Sequence, residues 1–457
     1  MRRKIEKGIE QSERLKADYC EIRAEEIDLT YISLADGRID TLNQRKECGT
    51  AIRVLKNGAW GSVSCNIDDI NEGVKDAISL AKKSAEKRKG KIKLAEVRPV
   101  QDTVRNKVKK PPNTVPVEKK IERMVGLYNK FKDYNSKIKA VSISYRDGQG
   151  KKHLFTNEGT EIVEDISYVW NFCWITGKKD QQLTSARNEI GSVSQGFEYF
   201  DEVSNTEIVE KTGKRVMMQL EGKNVKGGSF ECVLGPRVVG VLAHEALGHL
   251  SEADLTVNSS FAGKVGEVIA NEKPRITMVD GPVPNGFGNY TYDDEGVRAQ
   301  RVEIIKNSVL SGLLTNREYA KRTGMPLVGA ARAESWRCSP LIRMRNTYFE
   351  KGDFEEDELF EGIDHGYYCT DLRGGQAELN SSFQVGIQEG YEIVDGEIGD
   401  PIKNTSISGM ATEALKYISG VGKKVEFESG RCGKGQEVFV SSGGPKMRFK
   451  KGAIVFG

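Results

Sequence analysis

The sequence predicts an α+β protein with two domains. In the first half, alternating apolar segments are joined by Asp-Gly and Asn-Gly turns and interrupted by segments of helical periodicity. These features predict an N-terminal α/β domain with a mostly antiparallel sheet plus helices. After residue 275, short strands and glycine turns dominate, which predicts a β-rich, barrel-like C-terminal domain. The composition shifts near Gly227-Gly228, so we expect the domains to be residues 1–222 and 223–457.

The composition is that of a globular chain and argues against several kinds of partner. Of the 457 residues, 38% are hydrophobic and 30% are charged, and the net charge of +3 is too small to indicate nucleic-acid binding. No apolar run approaches the ~20 residues that span a bilayer, and the charged start lacks the apolar core of a signal peptide. The eight cysteines are scattered singly, which favours a reducing compartment. We therefore expect a cytoplasmic protein without a membrane or nucleic-acid partner.

The elements of the first domain follow from periodicity and turn residues. Residues 1–16 are expected to form a polar helix, and Asp147-Gly148 is expected to be a turn between two strands. The basic stretch 87–116 lacks interleaved aromatic residues, so a loop or linker is favoured over a nucleic-acid arm. The other predicted helices are 68–87, 117–134 and 206–220. The predicted strands are 20–25, 29–34, 49–55, 59–64, 140–145, 152–156 and 162–175.

The C-terminal domain is organised around the segment His244-Glu245-Ala246-Leu247-Gly248-His249, which holds two of the four histidines. The apolar run before it predicts a buried helix with Pro236 in its first turn, where a missing N–H costs least. A His-Glu pair followed one turn later by a second His is how a helix places two imidazoles on Zn²⁺ beside a carboxylate. The alternative is a pair of hydrogen-bonded core histidines.

The spacing of the two histidines is unusual for such a motif. They lie five residues apart instead of four, so a regular α-helix would aim them about 140° apart. Both can reach one metal only if the helix widens into a π-turn or breaks near Gly248. Glu245 supports the metal interpretation, because an unpaired carboxylate in an apolar segment is costly and a cation would remove that cost.

Cys432 is the best candidate for a third ligand. Its neighbours Arg431 and Lys434 favour the thiolate, a preferred zinc ligand, and the glycines around it predict an exposed loop. A flexible loop cysteine is the alternative, and His365 is the second choice as ligand. His153 lies in a predicted strand with no second ligand nearby, so a packed or surface histidine is expected. Downstream, Glu252 and Asp254 either orient the histidines or are solvated loop charges.

These residues together resemble the TldD/PmbA family of zinc metalloproteases, on the TldD side. Three motifs in this order carry the resemblance: His244 to Asp254, Tyr292-Asp293-Asp294-Glu295-Gly296, and Cys432-Gly433-Lys434-Gly435-Gln436. The resemblance implies zinc on His244, His249 and Cys432 and activity on small or unfolded peptides. It also implies a partner, because PmbA-type members lack the zinc motif and pair with TldD-type members. We therefore expect a homodimer or a heterodimer with a PmbA-type subunit.

The sequence thus predicts a zinc peptidase with Glu245 as the general base that activates water. One rival is a non-catalytic peptide- or partner-binding protein with a structural metal. Another is dipeptidyl-peptidase-like cleavage with a glutamate on the zinc, which shares the His-Glu-x-x-x-His spacing. For that arrangement Glu252 is a poor candidate, because it lies too close in sequence to the histidines.

Overall fold

A computed structural model describes all residues, 1–457. Its α-helices are α1 Arg2–Arg14, α2 Ile70–Lys87, α3 Val117–Tyr134, α4 Tyr199–Glu202, α5 Asn205–Glu221, α6 Pro236–Val241, α7 Ala253–Thr256, α8 Arg317–Thr323 and α9 Ala411–Ala414. The strands of the first half are β1 Tyr19–Ala35, β2 Arg38–Lys56, β3 Ala59–Cys65, β4 Gln101–Val104, β5 Ile138–Thr156, β6 Glu161–Lys179 and β7 Gln182–Ser192.

The second half contains eighteen mostly short strands. They are β8 Lys223–Asn224, β9 Gly228–Ser229, β10 Glu231–Leu234, β11 Met278–Asp280, β12 Val302–Lys306, β13 Val309–Leu310, β14 Ala331–Arg332, β15 Leu341–Ile342, β16 Asn346–Phe349, β17 His365–Ala377, β18 Ser382–Val394, β19 Glu397–Lys403, β20 Ser406–Met410, β21 Ile418–Val421, β22 Glu426–Gly433, β23 Glu437–Gly444, β24 Met447–Phe449 and β25 Val455–Phe456. No helix is both long enough and apolar enough to cross a membrane.

The first sheet has seven strands in the order β3-β2-β1-β5-β6-β4, with β7 on β6. Its strands pair antiparallel except β4, which runs parallel to β6. The helices pack on it with their apolar faces: α2 buries Val74 and Ala77, and α3 buries Leu127 and Phe131. The predicted Asp147-Gly148 turn is wrong, because β5 continues through both residues and pairs there with β1 and β6. The predicted antiparallel sheet with helices is confirmed, although the predicted strands 20–25 and 29–34 form one strand and the predicted loop 87–116 contains β4.

The C-terminal half contains a ten-stranded and a six-stranded sheet, which enclose α6, and a separate two-stranded sheet of β14 and β15. The helix packs against β17 of the larger sheet and against β16, β22 and β23 of the smaller one. A core of 47 buried residues, which includes Leu242, Leu247 and Met344, fills the space around it. The predicted α+β class, with a β-rich C-terminal region around the motif helix, is confirmed. The boundary between residues 222 and 223 stays a prediction.

Candidate metal centre

The motif helix changes its geometry within the motif. After α6 the chain forms a π-helix at Leu242–Gly248 and then a single 3₁₀ turn at His249–Ser251. A π-turn bonds residue i to i+5, so it brings residues five apart onto one side of the helix. His244 and His249 accordingly face each other, with ring centroids 5.4 Å apart. The prediction that this turn is not regular α-helix is confirmed.

Gly248 is required by close packing and not by backbone freedom. Its φ of −62° and ψ of −48° are ordinary helical angles. A Cβ added there would overlap the Met344 sulfur and lie 3.0 Å from the Ala243 carbonyl oxygen. Since Met344 is fully buried, it has little room to move away. The glycine thus lets the widened helix lie directly against the core.

Three ligand atoms converge next to this helix. The donor atoms of His244, His249 and Cys432 all lie within 4.8 Å of one another, and the Cys432 Sγ is 3.4 Å from the His249 Nε2. Cys432 belongs to β22, where it pairs with Val438 of β23, and only 2% of its surface is exposed. The predicted exposed glycine loop is therefore wrong, because strand pairing continues through Gly433 and buries the sulfur.

The two histidines have different surroundings. Both ring nitrogens of His244 are buried and have no hydrogen-bond partner, an arrangement that is costly unless something else occupies them. In contrast, His249 has its Nδ1 3.0 Å from a carboxylate oxygen of Glu252, which leaves its Nε2 directed at the Cys432 sulfur. A carboxylate on the far nitrogen is the usual way in which a metal-ligating imidazole is oriented.

The cluster is strongly coupled electrostatically. Burial raises the pKa of the Cys432 thiol, but His244 and His249 beside it lower that pKa to about 4. Burial lowers the pKa of His249, whereas Glu252 and Cys432 raise it to about 10. Burial likewise lowers the pKa of His244, and Cys432 and Glu245 raise it above its ordinary value. The pKa values of about 4 for Cys432 and about 10 for His249 make the sulfur a thiolate beside a cationic His249 ring near neutral pH.

Glu245 is closer to solvent than its apolar neighbours in sequence suggest. Its side chain is 34% exposed, and its Oε2 lies 3.7 Å from the His249 Nε2. The expected cost of a fully buried carboxylate therefore does not arise. The position instead gives a carboxylate that borders the cluster and can still contact water.

Lys434 is the residue whose role sequence reasoning missed. Its Nζ donates hydrogen bonds to Glu252 at 3.0 Å, to Asp254 at 2.8 Å and to the Ile342 carbonyl at 3.1 Å. The hairpin that carries Cys432 is thereby tied to the segment that follows His249. Glu252 is fully buried, so for this residue the solvated-loop alternative is wrong. Its pKa, which burial raises, is lowered overall by His249 and Lys434.

The remaining two histidines lie elsewhere. His365 begins β17, is 43% exposed on its side chain and contacts a carboxylate oxygen of Glu392 at 2.9 Å. His153 lies within β5, opposite Ala24 of β1, and is partly buried, as expected of a packed strand histidine. Neither belongs to the ligand cluster formed by His244, His249 and Cys432.

Comparison with known proteins places these features in a family. Three consecutive family models match: PmbA/TldA metallopeptidase domain 1 at residues 20–85, the central domain at 110–220 and the C-terminal domain at 227–455. The chain belongs to the PmbA/TldD metallopeptidase family. A zinc metalloprotease TldD homolog of Saccharolobus solfataricus is 34% identical over 97% of this chain and 98% of its own. A metalloprotease of Methanothermobacter thermautotrophicus is 33% identical over 96% of both chains.

A solved structure extends this family relation to the fold. TldE from Thermococcus kodakarensis superposes with a TM-score of 0.78 over 99% of this chain and all of its own, at 19% identity. At that identity the similarity concerns the fold alone. The predicted family is confirmed, and relatives that cover nearly the whole chain carry the TldD and metalloprotease names.

The acidic segment Tyr292–Gly296, one of the motifs of the family resemblance, joins the two halves of the chain. Its Asp294 accepts a hydrogen bond from Lys152 of β5 at 3.1 Å. Its Glu295 accepts one from Arg53 of β2 at 2.5 Å. All four side chains have little exposure. The segment therefore acts in this structure as an ionic connection between the first sheet and the C-terminal region.

Proposed function

We propose that this chain is a zinc-dependent peptidase that hydrolyses peptide bonds in small or unfolded peptides. The observation that carries the proposal is the convergence of His244, His249 and Cys432 within 4.8 Å, with a partly exposed Glu245 beside them. The metalloprotease names of relatives over the whole chain support the same class of reaction.

The cluster fits zinc by the chemistry of its donors. Imidazole nitrogens and thiolates are both preferred Zn²⁺ ligands, and catalytic zinc sites keep three protein ligands and one open position. The unpaired buried nitrogens of His244 are the specific sign of a missing partner. A thiolate and a neutral imidazole are also the forms in which these side chains bind metal.

The other side chains of the site support hydrolysis through position and charge. When bound, Zn²⁺ supplies a Lewis acid that polarises the scissile carbonyl and makes a water molecule more acidic. Glu245 takes a proton from the attacking water and passes it to the leaving amine. Its partial exposure lets water and substrate reach it. Glu252 holds His249 in one tautomer through the 3.0 Å contact with Nδ1.

We further propose that the working form is a dimer in the cytoplasm, either a homodimer or a heterodimer with a PmbA-type subunit. The fold shared with TldE supports a family of similar subunits. All eight cysteines are free, which fits a reducing compartment. Sedimentation velocity of the purified chain, alone and mixed with a PmbA-type protein, tests the assembly. A chain that sediments as a monomer in both cases would contradict it.

Replacing Glu245 by Gln tests the enzymatic role. The variant keeps all three ligands, so zinc content should equal that of the wild type, while cleavage of short peptides should fall by at least the ~10²–10⁴-fold typical of losing a general base. Glu72→Gln is the control, because Glu72 is exposed on α2 and forms a surface ion pair with Lys75 at 2.8 Å. Zinc and cleavage are measured on the same samples.

The same experiment distinguishes the proposed peptidase from the rival, a non-catalytic binding protein. A non-catalytic binding protein with a structural metal would cleave no peptide in any of the three samples. Equal cleavage by wild type and Glu245→Gln would remove Glu245 from the mechanism. Loss of zinc in Glu245→Gln would mean that this carboxylate helps to hold the metal.

A further inference from the structure

A cavity of about 890 Å³ lies between the first sheet and the C-terminal region. None of the three clustered ligands lines it, so it is a feature separate from the candidate metal centre. We call it the chamber. Its volume falls within the ~300–1,000 Å³ of sites that hold small ligands. Its lining residues come from both halves of the chain, with the sheet as floor and the C-terminal loops and β22–β23 as roof.

The floor of the chamber is an apolar strip on one face of the first sheet. Ile27 and Ile166 lie in one row across the strands, and Leu29 and Tyr168 lie in the next row. Between Leu29 and Tyr168 stands Gly148, where an added Cβ would overlap the Tyr168 ring. Because Gly148 has no side chain, the Tyr168 ring can lie over β5 at this position. Most of this strip is only half-buried, so apolar surface remains available to a ligand.

The walls carry charges of both signs that already neutralise one another. The pairs are Lys152 with Glu164 at 3.0 Å, Arg45 with Glu47 at 2.6 Å and Arg431 with Glu437 at 2.9 Å. A chamber for a phosphate-rich or polyanionic ligand would instead present an excess of cations. Paired charges around an apolar floor suit a ligand that has apolar side chains, polar main-chain groups and little net charge.

The chamber and the ligand cluster both border the β22–β23 hairpin. In the β22–β23 ladder, Arg431 pairs with Phe439 and Cys432 pairs with Val438. Arg431, Val438 and Phe439 line the chamber, whereas Cys432, the cross-strand partner of Val438, belongs to the cluster. The Phe439 ring closes the roof against the floor, with its centroid 5.0 Å from that of Tyr168.

We propose that the chamber binds a short peptide through an apolar or aromatic side chain, at a site distinct from the metal centre. The apolar floor takes the side chain, and the paired charges of the walls provide donors and acceptors for main-chain amides. The inference rests on the proposed function only in its choice of a peptide, which is the class of molecule that a peptidase holds. The chamber thus gives the chain a second contact with its substrate.

Isothermal titration calorimetry with the N-acetylated, C-amidated peptide GLFAG tests the proposal. The full chain carries Glu245→Gln so that the peptide stays intact, and the titration is repeated after zinc is removed with a chelator. Ile166→Trp fills the floor of the chamber from β6, and Leu29→Trp fills it from β1, on the other side of β5. Leu183→Trp is the matched control, because Leu183 is 64% exposed on β7 outside the chamber.

Both filling variants should raise Kd at least about tenfold, while the control and zinc removal leave it unchanged. Far-ultraviolet circular dichroism and zinc content verify the fold of each variant. Unchanged Kd in both filling variants, binding that disappears with the zinc, or no binding at all would overturn the inference. Peptide hydrolysis by the wild type is measured separately. Hydrolysis without chamber binding refutes only this inference, whereas chamber binding without zinc or hydrolysis refutes only the proposed function.

Discussion

Removing the Lys434 ammonium should loosen the metal centre without touching a ligand. Lys434→Met keeps most of the aliphatic stem but deletes the three donors that contact Glu252, Asp254 and the Ile342 carbonyl. Glu252 then keeps His249 as its one charged partner, through Oε2. Its other carboxylate oxygen, Oε1, has no hydrogen-bond partner even before the change. The change also releases the β22–β23 hairpin from the segment after His249, so that Cys432 and His249 are no longer held together.

The size of the effect follows from burial. Deleting one partner of a buried ion pair costs ~3–5 kcal/mol, because the other charge stays buried and unpaired. Glu252 is fully buried, whereas Lys434 is 16% exposed on its side chain and water can partly replace it. We therefore expect the zinc-free protein to lose about 3 kcal/mol of unfolding free energy. Loss of a residue that hydrogen-bonds to a metal ligand lowers metal affinity ~10–100-fold. Lys434 contacts the ligand His249 only through Glu252, so we expect zinc affinity to fall about tenfold, at the low end of that range.

Two measurements check this prediction. Chemical denaturation of the zinc-free protein gives the stability change, and competition with a fluorescent chelator gives the zinc Kd. Lys423→Met is the control, since Lys423 forms an exposed ion pair with Glu355. Lys434→Arg should restore part of both quantities. Zinc affinity in Lys434→Met that equals that of the control, with Glu252→Gln still weakening zinc, would refute the tether, because Glu252 would then orient His249 unaided.

The remaining predictions concern the ligands and the helix. Cys432→Ser should abolish stoichiometric zinc in elemental analysis, and His365→Ala should leave it intact; the reverse outcome would mean that the ligand assignment is wrong. Gly248→Ala should destabilise the protein by about 1–3 kcal/mol in denaturant unfolding, because the methyl group overlaps Met344 in a close-packed core. Gly430→Ala is its control, as an added methyl there meets no atom within 4 Å. Equal stability of the two variants would show that Met344 moves away at little cost.

Local periodicity predicted most of the first sheet, and its errors have one cause. The two predicted strands 20–25 and 29–34 are a single strand, because the residues between them pair with β2 on one side and β5 on the other. Asp147-Gly148 favours a turn in isolation, but β1 and β6 pair with β5 on both sides and keep it extended. The glycines around Cys432 likewise favour a loop. The chain is nevertheless a strand there, because β23 pairs with it. In each case non-local hydrogen bonds outweighed local preference.

The candidate site was predictable where its signal is local in sequence. If His244 and His249 share one metal, their five-residue spacing conflicts with regular helix geometry, and that conflict predicted a π-turn or a break near Gly248. The contacts of Lys434 connect residues about 180 positions apart, so no spacing in the sequence reveals them. The chamber cannot be predicted from the sequence either, because its floor and roof come from different halves of the chain.

The ligand-bearing elements are fixed to each other at both ends, and this bears on how the site forms. At the start of α6, Arg237 contacts Glu428 of β22 at 3.4 Å and Asp371 of β17 at 2.8 Å. At the far end Lys434 makes the second connection. Between these anchors the π-helix and β22 pack within a large apolar core. Small metal-dependent domains fold only when the ion binds, because nothing else holds their ligands together. Here two ionic anchors and an apolar core also connect the ligand-bearing elements, so a bound ion would not be the only link between them.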